Sequence, residues 1–157
     1  MTLPKIARLF VACGLALTSF FASAAPPVNT LKNSFFATRT DTAINGYDSV
    51  AYFTQNAPVL GQDAHTTEWR GAKWKFSSQA NLDLFKNNPE KFAPQYGGYC
   101  AYGVVKDSLV KVDPAQFTIL DGKLYLNYDA DVQKLWAQDR AGYIKQADAK
   151  FQTLVAK

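Results

Sequence analysis

The stretch Phe117-Thr118-Ile119-Leu120-Asp121-Gly122-Lys123-Leu124-Tyr125-Leu126-Asn127-Tyr128 carries the strongest secondary-structure signal in the chain. Two runs rich in β-branched, aromatic and aliphatic residues flank Asp-Gly, a pair that tolerates the positive φ angles of a two-residue type I′ turn. A β-hairpin is expected here. Upstream, Thr66-Thr67-Glu68-Trp69, a break at Arg70-Gly71 and then Ala72-Lys73-Trp74-Lys75-Phe76 predict a second hairpin. In it Trp74 and Phe76 share one face, and Lys73 and Lys75 the wet one.

Helical signals surround the hairpins. Asp48, after the Asn45-Gly46 turn, caps a short helix with Val50, Ala51 and Phe53 turned inward. Ser77 or Ser78 offers an N-cap for Gln79 to Asn88, with Leu84 and Phe85 facing the core. Pro89 forbids αR at Asn88 and restarts one turn through Phe92, which Pro94 stops. Asp129 caps a helix carrying Val132, Leu135 and Trp136, and a last helix after Gly142 bears a stripe of Ile144, Ala147, Phe151, Leu154 and Val155. Residues 57–65 and 106–114 read as polar loops, and no internal repeat is visible. Two hairpins and three to four short helices without βαβ alternation predict one compact α+β domain.

The 157 residues are 48% hydrophobic and 14% aromatic, enough for one domain with a proper core. Lys5 and Arg8, the apolar run from Leu9 to Phe21 and the small-x-small triplet Ala22-Ser23-Ala24 read as a secretory signal peptide over residues 1–24. The apolar run is shorter than the roughly 20 residues of a membrane-spanning helix. Lipidation at Cys13 would leave only Leu9 to Ala12 ahead of it. The organisation expected is therefore a leader at 1–24, an N-terminal arm at 25–42 ordered by Phe35 and Phe36, and a domain at 43–157. The mature chain is exported, to the periplasm, with no transmembrane anchor after cleavage. No cluster of Lys and Arg remains, which argues against nucleic acid as a partner. Cys13 leaves with the signal, so Cys100 has no internal disulfide partner and must be buried, ligated, joined in a mixed disulfide or reactive.

Between the hairpins, Asn88 to Val104 crowds Pro89, Pro94, Gly97, Gly98 and Gly103 around Tyr96, Tyr99, Cys100 and Tyr102. Fixed and permissive φ angles in one run describe a chain steered through defined bends. Ile44-Asn45-Gly46-Tyr47-Asp48-Ser49-Val50-Ala51-Tyr52-Phe53, Gly71 to Ser78, Asn81 to Phe85, Asn88 to Phe92 and Pro94 to Ala101, in that order, resemble the YHS domain family, and more narrowly its exported bacterial members. The resemblance implies a small α+β module related to TRASH-like metal-binding domains of heavy-metal transport and sensing. Those relatives carry cysteines in Asp-Pro-Val-Cys and Phe-Cys-Ser-x-x-Cys segments. The matching positions here read Asp48-Ser49-Val50-Ala51 and Phe76-Ser77-Ser78-Gln79-Ala80-Asn81, so those thiols are missing and that soft-metal site does not carry over.

The candidate metal ligands left are Cys100, His65 and Asp48, with tyrosine oxygens beside them, and copper or zinc is the ion such donors suit. The alternative for Cys100 is a small packed hydrophobe between glycine-rich turns, and for His65 an exposed loop residue. Trp74, Tyr96, Tyr99 and Tyr102 form the candidate aromatic pocket for a small molecule or a protein partner. Thiol catalysis would need His65 as base for Cys100, and no oxyanion, phosphate-loop or triad motif accompanies them. The expectation is a non-enzymatic binding module, for a metal ion first and a small molecule or protein partner second.

Overall fold

Arg70-Gly71 and Asp121-Gly122 each place two consecutive residues at positive φ, 50° and 74° in the first pair and 50° and 71° in the second. Both pairs close antiparallel hairpins, β1 (Gln62–Trp69) with β2 (Ala72–Phe76) and β3 (Asp113–Leu120) with β4 (Lys123–Asn127). In this computed structural model, which describes residues 24–32 and 39–156, they are the only sheets among the described residues. The leader through Ser23, and the packing expected of Phe35 and Phe36, lie outside the described residues. The fold is α+β as expected, with six α-helices among the described residues where three or four were predicted. They are α1 (Ala51–Thr54), α2 (Gln79–Asn87), α3 (Pro89–Phe92), α4 (Ala101–Val105), α5 (Ala130–Gln138) and α6 (Arg140–Val155).

Capping follows the sequence closely. Ser78, Asn88 and Asp129 accept the N–H groups of Asn81, Lys91 and Val132 at the starts of α2, α3 and α5. The last helix departs from expectation. It begins at Arg140, because Asp139 accepts the Gly142 N–H at 3.0 Å and caps the helix two residues before the predicted glycine boundary. Leu84 and Leu135, expected in the core, are 41% and 40% exposed; Phe85 and Trp136, one residue further round each helix, are the buried anchors. The strands also start earlier than the polar loops suggested, since Gln62 and Asp113 pair across an irregular register with Phe76 and Asn127.

The expectation of no internal repeat is overturned: the chain builds one supersecondary unit twice. Each copy opens with a tight 3-10 turn, Ala43–Gly46 or Gln95–Gly98, followed by a short helix, a bulged hairpin and a capped helix. The correspondence runs residue by residue, Gln62 with Asp113, Trp69 with Leu120, Ala72 with Lys123, Ser78 with Asp129, and Asn88 with Asp139. Even the packing is repeated. The Trp74 and Phe85 rings lie 5.0 Å apart in the first copy, and Tyr125 and Trp136 lie 5.5 Å apart in the second. Few identities survive between the copies, because a positive-φ pair, a cap and an aromatic anchor can each be met by several residue types.

The two turns meet around the N-terminal arm. Asn29, fully buried, donates its backbone N–H to Gly97 O at 2.8 Å and its side-chain amide to Gly98 O at 2.9 Å, and its own carbonyl accepts the Ile44 N–H at 3.1 Å. Val28 to Leu31 are thus built into the core between the copies. Gly97 sits at φ 61°, where a Cβ would overlap Pro27 O, so only glycine permits this approach. Ile44 and Tyr96 occupy the equivalent places at φ 40° and 54°, strained for side-chain-bearing residues and most of all for a β-branched one.

Candidate ligand cleft

Tyr96 takes its direction from that left-handed turn. Its ring leans on Tyr125 and, edge to face, on Phe151 of α6 at 5.7 Å. Its hydroxyl donates to Asp148 Oδ1 at 2.9 Å. Burial, and then the hydrogen bond and charge of Asp148, push the phenol pKa well above the ordinary value, so the proton stays on Tyr96. Beside this pair opens a cleft of about 210 Å³. Its opposite wall is the tip of the first hairpin, where the Arg70 guanidinium lies 4.5 Å from the Trp69 ring centroid and holds Glu90 of α3 at 2.7 Å. Val28, Ala93 and Pro94 contribute the apolar floor, and Gln95 and Gln152 add amide groups. The arm, the first hairpin, the second turn and α6 therefore all contribute to one concave surface.

Of the four aromatics expected to share a pocket, the structure brings only Tyr96 to this one. Trp74 is a core residue, 1% exposed, stacked on Phe85 and donating its indole N–H to Trp69 O at 3.0 Å. Tyr99 is buried and donates to Pro26 O at 3.1 Å while Arg39 donates to its oxygen at 3.2 Å. Tyr102 is half-buried against Tyr143, with the Lys106 ammonium over its ring. Trp74 packs the first hairpin against α2, Tyr99 ties the second turn to the N-terminal arm, and Tyr102 packs α4 against α6.

The candidate metal ligands stand in three different settings. Cys100 is 1% exposed; its sulfur accepts the Gly103 N–H at 3.3 Å and its thiol donates to Asn127 Oδ1 at 3.7 Å. Burial pushes its pKa up, against the thiolate form that binds metal or attacks an electrophile. Asp48 is fully buried and both oxygens are engaged, Oδ1 by the N–H groups of Val50 and Ala51, Oδ2 by the Ser77 N–H and hydroxyl and by Asn81. His65, expected in a loop, lies in β1; it is half-buried and its Nδ1 has no hydrogen-bond partner among the described residues. Among the described residues no three His, Cys, Asp or Glu side chains gather where they could hold a metal ion.

The cleft residues Trp69, Arg70, Glu90, Asp148 and Phe151 were not singled out by the sequence. The available signals were the Trp-Arg pair at a predicted hairpin tip and the helical spacing that puts Asp148 and Phe151 on one face. Neither signal says that the two surfaces meet.

The architecture is that of a small α+β fold built on two antiparallel hairpins. Residues 50–96 match the family model described as YHS domain, so this segment of the chain is a YHS domain. The match runs from the first helix to the turn that opens the second copy. No curated protein and no solved structure matches the chain.

Proposed function

We propose that this YHS protein is an exported, non-catalytic binding module whose ligand is a small molecule seated in the cleft beside Tyr96. The observation that carries the reading is the cleft itself. Three aromatic side chains, Trp69, Tyr96 and Phe151, converge there with Arg70, Glu90 and Asp148, the mixture of apolar wall and few polar groups that a ligand site requires. Export to the periplasm is supported by the charged start, apolar run and Ala-Ser-Ala triplet of residues 1–24. Among the described residues no helix is long and apolar enough to cross a membrane.

The family suggests metal handling, and the donors present do not fit a resident copper or zinc centre. Ala51, Ser77 and Asn81 stand where related domains carry thiolates, and the Cys100 sulfur, buried and protonated, is already hydrogen-bonded. Metal analysis of protein purified without chelator, alongside a thermal-shift screen of small organic compounds, tests the reading. The expected result is a stabilising organic ligand whose effect is lost on filling the cleft with Gln152→Trp. Stoichiometric copper or zinc that disappears in Cys100→Ser would overturn it.

A further inference from the structure

Of the three charged groups that border the cleft beside Tyr96, two already satisfy each other. Arg70 and Glu90 form an ion pair at 2.7 Å, and the guanidinium also rests on the Trp69 face. Asp148 is left as the charge without a counter-ion in the cleft. Its Oδ1 accepts the Tyr96 hydroxyl, and Oδ2 makes no hydrogen bond among the described residues. Tyr96 is a neutral donor and adds no positive charge. Phe151 lies one turn along α6 from Asp148, its ring edge to face with Tyr96.

From this arrangement we infer that the cleft takes a small organic cation, an amine or quaternary ammonium group held between the Asp148 carboxylate and the Tyr96 and Phe151 rings. The inference rests on reading the cleft as the ligand site. A carboxylate next to aromatic faces attracts a cation twice, by charge and through the ring quadrupoles. An anion would face Asp148 uncompensated and would have to break the Arg70–Glu90 pair to find a partner. The volume of about 210 Å³ suits a compact head group rather than a long chain.

The test is calorimetric titration of the mature protein with choline, ethanolamine and agmatine, with acetate and phosphate as anionic probes. At least one cation should bind, and Asp148→Asn, which keeps an oxygen for Tyr96, should weaken it by about tenfold or more. Arg70→Gln, which removes a positive charge from the cleft and frees Glu90 from its ion pair, should strengthen cation binding or leave it intact and never weaken it. Gln152→Trp, at an exposed helical position on the rim, should abolish binding while near-ultraviolet circular dichroism stays unchanged. If only an anionic probe binds, with loss in Arg70→Gln and in Gln152→Trp, the cation class is overturned and the cleft stands. If binding of every probe is indifferent to Gln152→Trp, or no cation binds up to millimolar concentration, the inference fails. Indifference to Gln152→Trp also takes the cleft reading with it.

Discussion

Asp48 and Cys100 occupy the same place in the two copies of the repeated unit. Each follows a left-handed turn and a tyrosine, each donates its backbone N–H to a valine carbonyl, Val59 or Val110, and each accepts backbone N–H groups that open a short helix. The buried thiol is thus the second copy's version of the buried carboxylate, and both serve the chain as caps.

For Cys100 the consequence is chemical silence in the native state. Its thiol should resist maleimide and disulfide reagents near neutral pH and react fully on unfolding. Cys100→Ser, which keeps a cap acceptor, should cost less than Cys100→Val, which removes it; the latter loss should be about 1–2 kcal/mol in urea unfolding. Rapid labelling of the folded protein would contradict the buried geometry.

Asp48 ties the first turn, the end of β2 and the start of α2 together through five hydrogen bonds. Asp48→Ala orphans the Val50, Ala51 and Ser77 N–H groups and should destabilise by about 3–5 kcal/mol, among the largest single-site losses in the protein. Asp48→Asn keeps one acceptor oxygen and sets its amide NH2 against the donors on the other side, and should fall between wild type and Asp48→Ala. Equilibrium unfolding of both variants orders them.

Two glycines with similar backbone angles should behave very differently. Gly71, at φ 74°, has open space around its missing Cβ, whereas Gly97, at φ 61°, is pressed against the Pro27 carbonyl. Gly71→Ala should cost about 1 kcal/mol from the turn conformation alone. Gly97→Ala must also push Pro27, and with it the arm that Asn29 anchors, away from the second turn, and should cost more than about 3 kcal/mol or prevent folding. Thermal midpoints of the two variants, measured side by side, check the difference.

Stability should fall on the alkaline side. Burial raises Cys100 above its ordinary 9.0, and Tyr52 and Tyr96 above 10.0, in the folded state. The folded protein therefore holds these protons more tightly than the unfolded chain. The stabilisation is fully present below the unfolded values and is lost as pH rises through them toward the folded ones. Urea midpoints should be level up to about pH 8 and drop by about pH 10.5, with a shallower drop when Cys100 is replaced by serine.

The sequence by itself determined the two hairpin turns, the caps of α2, α3 and α5, and the α+β class. Asp121-Gly122, Ser78, Asn88-Pro89 and Asp129 act through bonds and dihedral angles within a few residues of themselves, so their meaning is local. The family was legible for the same reason, in ordered short motifs. Which of Leu84 and Phe85, or Leu135 and Trp136, faces inward was decided by packing against the hairpins, and helical periodicity alone allowed either. The internal repeat was hidden because different residues satisfy the same backbone conformations. The cleft was hidden because Trp69 and Arg70 on one hairpin, Tyr96 in the second turn and Asp148 and Phe151 on α6 are far apart in the chain. Only tertiary structure, with Asn29 drawing the two turns together, sets them around one space.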